Sequence, residues 1–398
     1  MEEAILSNIH GYMYPNEIEL QWSILVVLYP FITGLVAGAF ILASLERVFK
    51  VEAVKPTYRL ALLTALAFLL VAPLPLQLHL GHPERSFEMY FTPHLTSAMA
   101  MFGFVYLWYL MVVLVLEIWL DYRKDIVLLS RSTPGFLGKV YKVMSLGVDN
   151  ISAESLRIDD VLGKFLTVVG IPSAFLLHGY VGFIFGSIKA NPWWSTPLMP
   201  IVFLFSAIVS GIALVLLMYM LVSWLKGTKI DMPCIDTVAR YLFYAFIIDF
   251  SLEMLDLIHR AYEADESLEI QGFLVDSRLW TSQVIIQIVL GTLIPIGMLA
   301  LTQLVTLSEN ARKGIYAISG ALTLIGIFAM RWNVVIGGQL FSKSFLGLTS
   351  YKMAFATKEG LLPAILLLLL PFGILFVLIR LLPPWEEEEE AETAITTV

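Results

Sequence analysis

The chain has 398 residues, 58% of them hydrophobic and only 15% charged, with a mean hydropathy of +0.81 and a net charge of −8. Soluble domains run about 45–50% apolar and about a quarter charged, so this composition excludes an ordinary soluble protein and makes lipid the main solvent. No basic stripe exists for nucleic acid, and the single cysteine, Cys234, excludes a disulfide framework and a Cys-ligated metal or iron–sulfur centre held by this chain alone.

The opening stretch, "MEEAILSNIHGYMYPNE", is acidic and has neither a basic stretch nor a cleavage site. It is not read as a signal peptide. Residues 1–19 are expected as an interfacial segment, with Ile5 to Tyr14 along the membrane surface. A hydrocarbon core of ~30 Å needs about 20 apolar residues of helix. Apolar runs of that length follow at 20–45, 58–79, 96–120, 160–186, 197–224, 236–260, 277–305, 315–341 and 361–382. The expected fold is an all-α integral membrane protein of about nine transmembrane helices. Gly34 and Gly38 in the first run have GxxxG spacing and predict close helix packing. Pro73, Pro75 and Pro295 predict kinks. The loop 121–160 contains an amphipathic stretch, "GKVYKVMSLGVDNI", expected at the interface. Residues 386–398 form an acidic tail.

Lysine and arginine set the orientation. Arg47, Lys50, Lys55 and Arg59 share one side with the six cations of 121–160, with Lys226 and Lys229, and with Arg312 and Lys313. Lys343, Lys352 and Lys358 run against this bias. The assignment puts the N-terminus outside and the C-terminal tail in the cytoplasm of a prokaryotic cell.

Charges within a span cost from about 2.5 kcal/mol upward and face a bundle interior or a water cavity. The sixth run carries Asp249, Glu253, Asp256 and His259, at offsets that place them on roughly one helical face. Arg331 and Asn333, in the eighth run, are expected to meet them, with Arg331 pairing directly with Asp249 or Glu253. The file serves proton transfer or only fixes helix register. His10, His79, His82, His94, His178 and His259 all lie toward the outer side. His79 or His82 could face His178 across a haem b, but no second pair exists for a transmembrane haem chain.

Between the second and third runs stands "LHLGHPERSFEMYFTPHLTSAM". With "LYPFITGLVAG", "HGYVG", "NPWWSTPLMPIVFLFSAIVSG" and "RWNVVIGGQ" in order, the chain from Gln21 to Gln339 resembles the polysulfide-reductase membrane-subunit family, NrfD/PsrC. "RWNVVIGGQ" and the ninth span look most like the larger branch with HybB-type and DsrP-type subunits. The "HLGHPER" form looks closest to the sulfite-reduction-linked DsrP type. His79 departs from the Asp usual in the family, and His82 from a common Arg.

The resemblance implies two four-helix bundles, 20–186 and 187–341, followed by a C-terminal transmembrane segment, 342–385. It implies a quinone-interacting subunit of a respiratory complex, exchanging electrons between menaquinone and a ferredoxin-like iron–sulfur partner at the outer face. Further membrane and cytochrome subunits are expected in that complex, and no haem in this chain. The expected quinone shell is His79, His82, Arg85, His178, Tyr180, Trp22 and Tyr29, with Trp193 and Trp194 at the same depth. Asp249, Glu253, Asp256, His259, Arg331 and Asn333 would carry protons or form an ion pair. A secondary transporter and a purely structural anchor are the alternatives.

Overall fold

The computed structural model describes residues 9–92, 94, 96–97, 105–106, 108–263 and 267–385. Long helices dominate: α1 (Ile24–Arg47), α2 (Lys55–Val71), α3 (Val115–Ser132), α4 (Ala153–Gly186) and α5 (Met199–Lys226), then α6 (Met232–Tyr262), α7 (Leu268–Leu304), α8 (Glu309–Val335) and α9 (Leu361–Leu381). Seven helices among the described residues are long and apolar enough to cross a membrane, and the chain is an all-α integral membrane protein. The expected third span, 96–120, lies partly outside the described residues. The sixth forms as α6, but Asp236, Arg240, Asp249, Glu253 and Asp256 make it too polar for that count. The acidic tail also lies outside the described residues.

Local chemistry sets the helix ends. Ser23, Ser152, Asp231 and Ser308 cap α1, α4, α6 and α8 with their side-chain oxygens. Gly227, at φ 70°, closes α5 in the left-handed conformation that glycine adopts without steric cost. Pro73 breaks the helical run after α2, and Leu74–His79 continues it as a short separate helix. α7 is wound in wide turns from Val275 to Leu293.

α1 is buried along nearly its whole length, against α2, α4 and α5. The expected close approach occurs at Gly38, where an added Cβ would lie 2.1 Å from the Ala207 carbonyl oxygen and 2.8 Å from the Gly211 Cα. α5 in turn packs on α4, α6 and α8. α1 and α5 therefore stand back to back where the first four long helices meet the next four. A second glycine contact, Gly291 with Gly326, brings α7 against α8. α9 packs on α2, with Phe68 and Phe372 edge to face at 5.3 Å.

The helices alternate in direction and define two ends. The basic end gathers charged helix termini into ion pairs. Arg47 and Arg59 reach Asp121 at 2.9 and 2.8 Å, Arg59 reaches Asp125 at 2.8 Å, and Arg123 pairs with Asp159. These pairs let α3 run on to Ser132 and α4 start at Ala153, so the loop expected over 121–160 shortens to 133–152. Within it, Gly135–Met144 is helical and leaves Phe136 and Val143 exposed.

At the opposite end, His10–Gly11 pairs antiparallel with Gly347–Leu348. Of the stretch Ile5 to Tyr14, expected along the membrane surface, residues 10–11 commit their backbone hydrogen bonds to the loop between α8 and α9. Residues 1–8 lie outside the described residues.

Candidate functional site

The deepest polar cluster joins four helices. His178 on α4 and Arg331 on α8 are both fully buried. Arg331 Nη2 lies 3.0 Å from His178 Nε2, 2.7 Å from Ser206 Oγ and 3.3 Å from the Phe203 carbonyl oxygen, the last two on α5. A guanidinium only donates, so Nε2 accepts and the His178 proton sits on Nδ1. Nδ1 then donates to Thr33 Oγ1 at 3.3 Å, and Thr33 donates to the Tyr29 carbonyl at 3.0 Å. Gly34 makes room for the imidazole, since a Cβ there would sit 3.2 Å from its Cε1. The guanidinium lies over the Phe203 ring at 4.0 Å, an attraction that gains from exclusion of water.

The expected direct pairing of Arg331 with Asp249 or Glu253 is not formed. No carboxylate among the described residues comes within 4.0 Å of Arg331. Its side chain instead runs to α4 and α5. Arg331 Nε and Asp249 Oδ1 are each buried with no hydrogen-bond partner.

The acids of α6 form a second group. Glu253 accepts from Gln287 Nε2 at 3.4 Å, Gln287 Oε1 accepts from Asn333 Nδ2 at 2.8 Å, and Asn333 Oδ1 accepts from Ser282 at 2.6 Å. Asp256 takes the Thr196 hydroxyl and pairs with Arg260 at 3.0 Å. Arg260 also donates to the Pro192 and Trp193 carbonyls, which clamps the 187–198 loop onto α6. His259 does not join them. It sits about 80° round the helix from Asp249, half exposed, 3.5 Å from Glu263.

A cavity of about 340 Å³ opens beside this group. Trp193, Met199, Val202, Met330 and Val334 give it apolar walls, while Glu253, Gln283, Gln287 and Asn333 give it polar ones. Gln283 Oε1 is buried there with no hydrogen-bond partner. A smaller cavity, about 250 Å³, is lined by Gln21, Trp22, Asn191, Trp194 and Gln339. Trp22 stacks on Trp194 at 5.1 Å, and Gln339 holds the Trp22 backbone from both sides.

The residues expected as one shell are split by depth. Trp22, Tyr29, His178 and Tyr180 lie inside the helical body or packed on its core. His79 pairs with Glu359 at 2.8 Å, a link from the end of Leu74–His79 to the loop before α9. His82 and Arg85 point to solvent, 77% and 65% exposed, paired with Glu84 and Glu88. The Arg85 guanidinium holds the Glu88 carboxyl below its usual range.

Sequence reasoning missed Thr33, Phe203, Ser206, Gln287 and Ser282. Thr33 and Ser206 also bond their own helix backbone, to Tyr29 and Phe203, so in sequence they look like any serine or threonine in a buried helix. Gln287 carried the available signal, an amide one turn from Gln283 in an apolar run.

Helices with an apolar exterior around a buried polar interior define a polytopic membrane protein. A family model described as "Polysulphide reductase, NrfD" matches residues 15–343, and the chain belongs to that family. It is 30% identical over 327 residues to a selenate reductase subunit of Mesobacillus selenatarsenatis, covering 79% of this chain and 73% of that one. It is 28% identical over 319 residues to a putative dimethyl sulfoxide reductase membrane subunit of Halobacterium salinarum, covering 77% and 66%. Protein NrfD of Escherichia coli is 30% identical over 201 residues, half of this chain and 59% of that one. α9 lies beyond the matched residues. A DsrP-type placement rests on the "HLGHPER" loop alone.

Proposed function

We propose that the chain is the quinone-handling membrane subunit of a respiratory reductase complex. Its similarity to subunits of selenate and dimethyl sulfoxide reductases supports the setting. The observation that carries the reading is the cavity of about 340 Å³. Ligand pockets of this size pair apolar walls with a few convergent polar groups. A quinone ring needs that combination: flat apolar sides, donors for its two oxygens, and acceptors for the protons its reduced form gives up. Trp193 and Met330 supply the sides. Gln283 and Gln287 amides supply donors, and Glu253 supplies the acceptor.

A bound quinone brings two-electron, two-proton chemistry. This chain's part is to bind the ring, orient it and move the protons. Glu253 takes a proton from the ring oxygen, and the Gln287–Asn333–Ser282 series fixes its orientation. His178 and Arg331 stand behind the cavity wall, because Met330 and Val202 face the cavity while their neighbours Arg331 and Phe203 face the cluster. Electrons pass to a redox centre on a partner, for which an iron–sulfur subunit at the end carrying Trp22, Trp193 and His79 is the fitting class. That end faces outward in this reading, with menaquinone as the membrane pool and the basic end in the cytoplasm. His82, Arg85 and Glu84 then belong to the docking face and not to the ring's shell.

Photo-crosslinking with an azido-quinone in the intact complex tests the site. Label on peptides from α6, α7 or the 187–198 loop supports it. Label confined to other segments, or none above a competitor-blocked control, defeats it.

A further inference from the structure

A larger cavity lies at the other end. It measures about 660 Å³ and is lined by Glu46, Arg47, Lys55, Tyr58, Arg59 and Asp121 among others. None of the side chains of the candidate site lines it. One turn deeper than Asp121 on α3 sits Glu117, fully buried in the first four helices. Thr167 on α4 donates to its Oε1 at 2.6 Å, while Oε2 is buried with no hydrogen-bond partner. Arg47 from α1 and Tyr58 from α2 face it, and Asp121 faces it from its own helix. Arg47 Nη1 bridges Tyr58 at 3.2 Å and Asp121 at 2.9 Å, so these three link Glu117 to the cavity wall.

The Thr167 hydroxyl has one proton and two acceptors in reach, Glu117 Oε1 at 2.6 Å and the Gly163 carbonyl at 3.0 Å. With the proton turned to Glu117, the carboxyl is ionised and satisfied at that oxygen. With it turned to Gly163, a protonated Glu117 donates to Thr167 instead. The protonated state makes both bonds, the ionised state gives up the one to Gly163, and neither needs a heavy atom to move. Beyond Glu117 the packing is close, and Tyr109, its buried hydroxyl without a hydrogen-bond partner, faces Glu117 from that side against Phe40. Gly170 presses against Phe40 and Val113, with an added Cβ 2.2 and 2.8 Å from their side chains. That layer separates Glu117 from His178, eleven residues beyond Thr167 along the same face of α4.

We propose that Glu117 is a proton-loading site, filled from water in the basic-end cavity by way of Asp121 and Tyr58, which Arg47 holds in place. The proton moves from water to the carboxylate and returns by the same route. No electron moves, and the opposite face of the site is closed by the Phe40–Val113 layer. The inference rests on the quinone reading only for what turnover does with the proton, and on the fold for the rest.

Infrared spectroscopy of the full-length protein with its co-purifying subunits, in lipid nanodiscs and without turnover, tests it. The expected result is a protonated-carboxyl carbonyl band that titrates with pH, shifts in D2O and is lost in Glu117→Gln. Tyr58→Phe should slow its exchange, on the order of a hundredfold for loss of a positioned proton carrier. If Glu117→Gln does not fold, Thr167→Ala must shift the band, because it removes the hydroxyl that bonds the carboxyl. A band that never exchanges with D2O overturns the proposal, and so does the lack of any band sensitive to these variants. Exchange that persists in a complex without quinone activity would sustain the loading site while defeating the proposed function.

Discussion

Arg331 and His178 lie 3.0 Å apart, Nη2 to Nε2, on helices that the chain separates by 153 residues. A buried cation thus takes a neutral ring as a partner, beside Ser206 at 2.7 Å, with the α6 acids held further off. Removing that ring should cost more than the bond itself, because the buried guanidinium stays behind one acceptor short. His178→Ala is expected to lower stability by about 3 kcal/mol, read as a fall in unfolding midpoint in lipid or detergent. Arg331→Met, which removes the charge along with the bond, should cost less. The reverse ranking would show that Arg331 draws its support from Asp249 and not from His178.

The α1–α5 contact makes a packing prediction. Gly38→Ala places a methyl 2.1 Å from a backbone oxygen, and backbone cannot turn aside as a side chain can. Overpacking of this kind costs about 1–3 kcal/mol. Gly81→Ala, at a position with open space around it, is the matched control and should be neutral. Equal unfolding midpoints for the two variants would contradict the close approach.

Glu253 is the proton acceptor of the proposed quinone site. Glu253→Gln keeps shape and the Gln287 contact but cannot take a proton. Quinol-driven reduction of an artificial acceptor by the intact complex should slow on the order of a hundredfold in kcat with little change in KM. A raised KM with unchanged kcat would make Glu253 a binding group only.

A pH dependence is expected where the first described residues meet the loop after α8. Glu17 accepts from Ser342 and from the Lys343 backbone and amine, at 3.1 and 3.0 Å for the latter two. Burial raises its carboxyl, but the Ser342 and Lys343 hydrogen bonds and the Lys343 charge outweigh this and hold it below the ordinary value of 4.5. The folded value is the lower one, so this contribution is complete above the unfolded value and is lost as pH falls through the folded value. Hydrogen exchange of residues 9–20 should therefore accelerate below pH 4.5. In Glu17→Gln that acid-dependent step should disappear. A step of equal size in the variant would assign it to another group.

Much of the fold was legible because the membrane imposes length and apolarity on every span. The runs at 20–45, 197–224 and 361–382 contain α1, α5 and α9 almost end to end. GxxxG spacing marked Gly38 as a contact point but could not name α5 as its partner. The site was legible in parts. Asp249, Glu253 and Arg331 announced themselves as charges in the wrong solvent, yet their pairing was misjudged. Sequence shows which residues need a partner. Helix rotation decides which they get, and α8 turns Arg331 toward α4 and α5. The "GHPER" turn stands apart from this group, its His82 and Arg85 paired with the adjacent Glu84 and Glu88.

The strand pair His10–Gly11 with Gly347–Leu348, and the Glu17–Lys343 bond spanning 326 positions, set an order of events during synthesis. Ribosomes deliver the early strand long before its mate exists, so it must wait, unpaired, until eight long helices have been inserted. Closure of this seam is then a late signature of a finished molecule. A protease cutting near residue 11 would distinguish half-made from completed chains.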